Sequence, residues 1–290
     1  MILYYAVGGG LGHLVRGVRV LEALGLSRKA SIVTASPHAR DARIAGGVEV
    51  IELPSRLERD VVAHRAWLHE LIASARFQRV ISDAFPAGIQ GELCDAPVPV
   101  DYVARLLKWD AYRAAVAGDL PHLGTTWTVE ELTPEHDEFV HARSARVVPL
   151  DLLAATPAAS EERCGGAASF WVIVHSGPGQ EVAELVEYAV ELRALAAEPP
   201  GRVLVATRCA VDLPAGFAHV DLYPASRLFA SAARIISAAG FNVMLETHAW
   251  RHKHDVVPFA RTFDDQYLRA ARRRAADDAG RDRLTASHTT

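Results

Sequence analysis

Cysteine is scarce. Cys94, Cys164 and Cys209 are the only three in 290 residues, too few and too scattered for a disulfide framework or a cysteine-rich metal site. They read as reduced thiols of a cytosolic protein. An excess of positive charge is also missing: 31 Lys and Arg stand against 35 Asp and Glu, for a formal net charge of −4. Nothing therefore draws the chain generally toward nucleic acid or anionic lipid, and any anion it holds must be caught locally. No apolar run reaches the ~20 residues of a membrane span. The opening Met1–Val7 is apolar but runs straight into glycines without a basic leader, so it reads as neither span nor export signal. Short-period repeats and low-complexity tracts are absent as well. Half of the residues are hydrophobic and 23% are charged, which excludes a long disordered protein. The length leaves room for about two units of ~100–150 residues each.

Short β-branched runs alternate with longer stretches of helical period. In the first half the expected strands are Ile2–Val7, Ser31–Thr34, Val48–Leu53, Val80–Asp83 and Val98–Val103. Leu14–Leu24 and Val62–Ala75 lie between them, with apolar residues at three- and four-residue spacing. Runs apolar on both faces, joined by helical crossovers, predict a parallel sheet covered on both sides. Within Val62–Ala75, Trp67, Leu68, Leu71 and Ile72 sit at core spacing. A linker is expected from Val147 to Gly166, where small residues, Pro157 and a Gly165–Gly166 pair gather.

Beyond it the alternation restarts. Strands are expected at Phe170–His175 (with Trp171 buried), Val203–Ala206, Val220–Tyr223, Ile235–Ser237 and Val256–Pro258. Helices are expected at Val182–Ala197, Arg227–Ala232, Val243–Trp250 and Gln266–Ala276, with a frayed polar end from Asp277 to Thr290. The pattern reads as two similar α/β halves, residues 1–150 and 151–290, facing each other across a hinge.

Three segments carry chemistry. The first, Gly8-Gly9-Gly10-Leu11-Gly12-His13, stands between a strand and a helix. Glycines there admit close approach, and free amides at a helix start favour negative charge. Open parallel sheets bind ligands beyond the carboxyl ends of their strands, which puts His13 at the mouth of the sheet. The spacing is not the dinucleotide fingerprint, because positions 13 and 15 are His and Val where a third glycine is required. The alternative is a tight turn whose histidine only caps a helix.

The second segment, Phe170 to Gln180, repeats the strand–glycine-turn–helix arrangement. The Ser176 hydroxyl and the amides of Gly177, Gly179 and Gln180 could face an anion, whereas Pro178 has no N–H to offer. A helix terminus alone supplies only ~0.3–1 kcal/mol, so a diphosphate needs donors from more than one loop.

The third segment runs from Ser237 to Glu246, followed by Pro258-Phe259 and Phe263-Asp264-Asp265-Gln266. A glycine ends a short strand, a helix starts near Asn242, and Glu246 lies about one turn inside it. Carboxylate and amide groups hydrogen-bond several hydroxyls at once, which suits a ribose and a hexose better than an apolar ligand.

The run Gly240-Phe241-Asn242-Val243-Met244-Leu245-Glu246 with Asp265-Gln266 downstream resembles the donor-binding signature of nucleotide-sugar glycosyltransferases of the GT-B fold, the UDP-glycosyltransferase superfamily. The opening Gly8–His13 looks like the N-terminal loop of the cell-wall N-acetylglucosaminyltransferase branch of that fold. The resemblance implies an α/β chain of two facing Rossmann-like domains, the first on the acceptor side and the second binding the nucleotide sugar. It also implies a hexosyltransferase using a UDP- or dTDP-linked sugar, with no cofactor and no metal required. Position by position, Glu246 would hold the ribose hydroxyls, and Asp265 and Gln266 the donor sugar. Gly240, Phe241 and the Asn242 helix start would approach the diphosphate with Ser176, Gly177, Gly179 and Gln180. Gly9, Gly10 and Gly12 would form the acceptor-side loop.

His13 would take the proton of the attacking hydroxyl. Asp83, ending the Val80–Ser82 strand, is the candidate partner for its ring, the alternative being an exposed loop aspartate without a role. Two departures stand out: Ala238 where relatives often have a phosphate-contacting histidine, and Val243 where they often have a hydroxyl residue. They leave open a nucleotide-sugar hydrolase and a non-catalytic nucleotide-sugar-binding protein.

The loop with His248, His252, His254 and Asp255 has imidazoles at a spacing that can grip a metal. No catalytic Glu follows the first of them, and Arg251 and Lys253 oppose a cation, so the segment reads as a solvated basic loop able to meet phosphate. Arg269, Arg272, Arg273 and Arg274 read as a solvated helical face that could make weak peripheral contact with an anionic membrane.

Overall fold

The computed structural model describes residues 1–8, 10–116, 118–153, 170–196 and 201–286, with side chains described as far as residue 279. The chain forms two compact units, Met1–Ala158 and Ala159–Thr290. Residues 154–166 of the expected linker, Cys164 among them, lie outside the described residues.

In the first unit the strands are β1 (Ile2–Ala6), β2 (Ala30–Thr34), β3 (Glu49–Glu52), β4 (Arg79–Asp83), β5 (Val100–Ala104), β6 (Leu123–Thr128) and β7 (Ser144–Pro149). The helices are α1 (Leu11–Ala23), α2 (Ala42–Ala45), α3 (Val61–Ser74), α4 (Trp109–Ala115) and α5 (Pro134–Arg143). All seven strands are parallel, in the order β3-β2-β1-β4-β5-β6-β7. Every residue of β2 and β5 is buried, as strands covered on both faces must be. On one face Leu68 and Ile72 of α3 pack with Leu3, Tyr5, Val33 and Val80, while Trp67 and Leu71 flank them. Asp60 starts α3 by accepting the Ala63 amide at 3.0 Å.

The strands expected in this half are all present. The sheet has two more, β6 and β7: the sequence Leu-Gly-Thr-Thr-Trp-Thr of β6 lacks an apolar run, and its Thr126 hydroxyl pairs instead with Ser144 of β7 at 2.7 Å. Val147–Pro149 is therefore sheet, not linker.

In the second unit β8 (Phe170–Val174), β9 (Arg202–Ala206), β10 (Phe217–Val220), β11 (Arg234–Ala238) and β12 (His254–Val257) form a parallel sheet in the order β10-β9-β8-β11-β12. The helices are α6 (Gly179–Leu195), α7 (Phe241–Glu246) and α8 (Gln266–Ala286), with 3₁₀ turns at Ala225–Leu228 and His248–Lys253. Trp171, Ile173, Val182, Leu185 and Val203 form the core on one face.

Four expectations are corrected here. The strand expected at Val220–Tyr223 ends at Val220, because pairing to β9 begins at Phe217 opposite Val203. The helix expected at Arg227–Ala232 is a short 3₁₀ turn that leads into the fully buried Phe229. The helix expected to reach Trp250 stops at Glu246, where the Thr247 hydroxyl donates to the Val243 carbonyl at 2.7 Å. The polar end does not fray at Asp277: α8 continues to Ala286, and Asp277 pairs with Arg251 at 2.8 Å and Arg273 at 3.5 Å. Cys94 and Cys209 are free thiols. Among the described residues no helix is long and apolar enough to cross a membrane.

Each unit buries one strongly perturbed histidine. His136 is fully buried, stacked on Trp109 at 4.3 Å, with Nε2 3.1 Å from the Tyr102 hydroxyl. Burial, and then Arg105, push its pKa down to about 3. His254 is pushed down to about 3 by burial and then Arg273. Both folded values lie below the ordinary ~6.5, so the unfolded chain binds more protons between those limits and stability falls as pH drops below ~6.5. Urea unfolding at neutral pH and at about pH 4.5 is expected to differ by up to ~2–3 kcal/mol for each histidine. His136→Phe should lose that share of the first unit's acid sensitivity; an unchanged pH dependence would contradict the assignment.

Candidate active site

In the first unit the strand order reverses between β1 and β4, since α1 leads from β1 outward to β2 while β4 stands on its other side. Such a reversal opens a crevice beyond the carboxyl ends of the two strands. The residues that the chain places there are the glycine loop after β1 and Asp83, the last residue of β4. Gly10 is the N-cap of α1, in extended conformation and without a side-chain cap. His13 and Arg16, one turn apart on α1, share a face.

They converge on Asp83. His13 Nδ1 lies 2.6 Å from Asp83 Oδ2, Arg16 Nε donates to Oδ1 at 2.7 Å and Nη2 to Oδ2 at 2.5 Å, and the Tyr4 hydroxyl donates to Oδ1 at 2.9 Å. Asp83 is only 1% exposed, which corrects the alternative of an exposed loop aspartate. Burial opposes its ionisation, but Arg16 and then His13 outweigh that and hold the carboxyl well below the usual range.

With Asp83 ionised, His13 Nδ1 carries the proton and donates it. Nε2 then presents a lone pair, and among the described residues it meets no hydrogen-bond partner. The His13 side chain keeps 15% of its surface open. Its pKa is lowered, by burial first; Asp83 pulls the other way, and Arg16 and Arg105 add to the lowering.

Two backbone features hold the ring. A Cβ on Gly8 would come within 2.3 Å of His13 Cδ2, so only glycine leaves room. Ala84 sits at φ +67°, a left-handed conformation that costs an L-residue ~1–2 kcal/mol. This turn carries Phe85 beside the imidazole, with ring centroids 5.7 Å apart. Of the expected loop glycines, Gly10 and Gly12 border the site at the start of α1; Gly9 lies outside the described residues.

The second unit has its own reversal, between β8 and β11. The loop His175–Pro178 after β8 and the loop after β11 meet the same crevice. Ser176 and Gln180 are exposed, and α6 starts at Gly179 without a side-chain cap. The amides of Gly177, Gly179 and Gln180 have no acceptor among the described residues. The loop is anchored from behind. His175 Nε2 lies 2.7 Å from Glu181, Arg261 grips Glu181 with both terminal nitrogens, and Cys209 Sγ donates to the Gly177 carbonyl at 3.0 Å.

Gly240 is the N-cap of α7; Phe241 is buried, and Asn242 and Glu246 are half-buried on the same short helix. Asp265 accepts the Leu268 amide at 3.0 Å and so caps α8. Gln266 is 4% exposed, and its Oε1 accepts the Phe259 amide at 3.0 Å, which leaves its Nε2 as the group able to meet a ligand.

The basic loop is solvated only in part: His248 and His252 are exposed, but its end is tied inward. Lys253 donates to the carbonyls of Ala230 and Ala232, and His254 is buried with Nε2 against Ser237 and Nδ1 against Arg273. Among the described residues no group of three His, Cys, Asp or Glu could hold a metal ion. Of the four arginines of α8, Arg274 is exposed and Arg272 half-buried, whereas two turn inward. Arg269 is 5% exposed and binds the Ala239 carbonyl and Asp264, and Arg273 turns inward to His254. Arg269 and Arg273 thus belong to the inner face of α8.

Sequence reading had no role for Arg16, Tyr4, Phe85, Glu181 or Arg261. Arg16 carried a signal in its spacing from His13. Arg261 carried none, standing 80 residues from the glutamate it grips.

No family model and no curated protein matches the chain. Solved structures do. The glycotransferase of kitacinnamycin superposes with a TM-score of 0.62 at 15% identity, over 94% of this chain and 83% of that one. The spinosyn rhamnosyltransferase SpnG complexed with thymidine diphosphate gives 0.59 at 14%, over 95% and 84%. The S. aureus MnaA–UDP structure gives 0.58 at 9%, over 91% and 80%. The chain thus has the GT-B-type α/β fold of these proteins, two Rossmann-like units with parallel sheets.

Replacing Gly8 by Ala is expected to displace the His13 ring. Urea unfolding should show a loss of ~1–3 kcal/mol, and the low-field proton resonance of the His13–Asp83 bond should vanish. A variant as stable as the parent, with that resonance intact, would contradict the packing described.

Proposed function

We propose that the chain is a glycosyltransferase that moves a sugar from a nucleoside diphosphate sugar to an acceptor hydroxyl or amine, with His13 as general base. The observation that carries this reading is an imidazole fixed through Nδ1 by a buried carboxylate, with Nε2 unpartnered at the crevice of the first unit. In the step, the acceptor's proton passes to His13 Nε2 and the acceptor atom bonds to the anomeric carbon. The bond from that carbon to the β-phosphate oxygen breaks, and nucleoside diphosphate leaves with the electron pair. General base catalysis contributes ~10²–10⁴-fold.

The second unit takes the donor. Its loop amides at Gly177, Gly179 and Gln180, with the Ser176 hydroxyl, receive the diphosphate, and Gly240 and Asn242 approach it. Glu246 takes the ribose, and Asp265 with Gln266 Nε2 the sugar. A parallel-sheet crevice with unbonded amides supports this, as do the thymidine diphosphate and UDP held by the structural neighbours. UDP- and dTDP-linked sugars are accordingly the donors to try first. In this reading the negative charge built on the β-phosphate is met by those unbonded amides.

In a thermal-shift screen, the matching nucleoside diphosphate at 100 times its dissociation constant should add ~2.7 kcal/mol. His13→Ala should keep that shift while kcat falls ~10²–10⁴-fold, and chelation with EDTA should leave the rate unchanged. Full transfer activity in His13→Ala overturns the assignment, and rapid release of free sugar without acceptor makes the protein a hydrolase instead.

A further inference from the structure

Arg16 is the least expected member of the His13 cluster. It is 3% exposed, and its guanidinium meets Asp83 with two nitrogens, one on each carboxylate oxygen. A carboxylate paired with a histidine alone favours the imidazolium, because the negative charge stabilises the second proton. That proton would sit on Nε2 and disable the base. We propose that Arg16 is a positioning residue that neutralises Asp83, so that the carboxylate fixes the His13 ring and its Nδ1 proton without holding a second proton on Nε2. The inference rests on the reading of His13 as general base and concerns how that base is kept free.

The geometry separates the two effects of a carboxylate. Its directional effect needs one oxygen in hydrogen-bond contact, which Asp83 Oδ2 supplies at 2.6 Å. Its charge effect depends on the net charge near the ring, which the guanidinium cancels at 2.5 and 2.7 Å from the same carboxylate. Arg16 Nη2 also stands 3.2 Å from His13 Nδ1. Both atoms are donors once Nδ1 carries its proton, so this contact repels rather than binds.

The charged groups facing His13 are Asp83 from β4, Arg16 from its own helix and Arg105 from the end of β5. Tyr4 from β1 reaches Asp83 as a neutral hydroxyl, and Phe85 offers an uncharged ring. One carboxylate thus stands against two guanidiniums; burial is the first cause of the lowered pKa of His13, Asp83 opposes it, and Arg16 and Arg105 add to the lowering. Arginine suits the task better than lysine, because its planar fork spans both oxygens and its charge is permanent.

The test is an NMR titration of the His13 ring in the full-length, ligand-free protein, with the resonance assigned by its loss in His13→Gln. Arg16→Met should raise the proton affinity of His13 by ~tenfold or more. The acid limb of kcat/KM should move up by the same amount. Since Arg16→Met leaves a buried carboxylate facing His13 without its arginine and could fail to fold, the same comparison is made between Asp83→Asn and Arg16→Met/Asp83→Asn, where no buried carboxylate remains. Loss of Arg16 should raise the midpoint in this pair too. An unchanged midpoint in whichever pair folds overturns the proposal. Its failure is distinct from that of the functional reading, which falls if the wild-type protein transfers no sugar from any donor or if His13→Ala stays active.

Discussion

A carboxylate buried at the centre of a parallel sheet must be fully compensated, and Asp83 is the group on which this structure's first unit turns. Leaving a buried charge unpaired typically costs ~3–5 kcal/mol. Tyr4 from β1, and Arg16 and His13 from α1, meet that demand, and in doing so they lock α1 against the ends of β1 and β4. The same contacts that make the charge tolerable set the orientation of the imidazole. Structure and chemistry are therefore not separable at this site: the ring that would act as base is also part of the shell that lets Asp83 remain ionised.

The second unit repeats the plan with a different outcome. It too packs a histidine against a glycine of the loop after its first strand, where a Cβ on Gly177 would come within 2.4 Å of His175 Nε2; whereas His13 stands on α1, His175 follows β8 directly. It too joins that histidine to an acid gripped by arginine. The bonded nitrogen, however, is Nε2 instead of Nδ1, the acid comes from the helix, and the arginine follows the last strand. Burial, with Arg261 beyond the glutamate, lowers the pKa of His175 despite Glu181. The arrangement ties the loop bearing the free amides of Gly177, Gly179 and Gln180 to the strand edge. One histidine cluster presents a lone pair; the other stiffens a loop of unbonded amides.

Much of this was legible in the sequence, for definable reasons. Strands apolar on both faces betray a parallel sheet, so β1 to β5 and β8, β9 and β11 could be read directly, as could the core positions Leu68, Ile72 and Trp171. β6 could not, because threonines and a glycine hide its period, and β10 was misplaced because its start is set by its register with β9. The glycine turns marked both crevices, since a strand-to-helix turn with successive glycines has few purely structural uses. What composition could not show was which charges turn inward. Arg269 and Arg273 sit in an arginine-rich helix that reads as solvated, yet each meets a buried acceptor. Glu181 and Arg261 stand 80 residues apart, so their partnership has no local signature.

The role given to His13 requires that it stand neutral at physiological pH, with its proton on the nitrogen facing Asp83 and the other nitrogen bare. Nitrogen-15 NMR of the ring in the uniformly labelled protein reads both nitrogens directly at neutral pH. A protonated Nδ1 beside an unprotonated Nε2 is the expected result. An imidazolium with both nitrogens protonated, or the opposite tautomer, would contradict it.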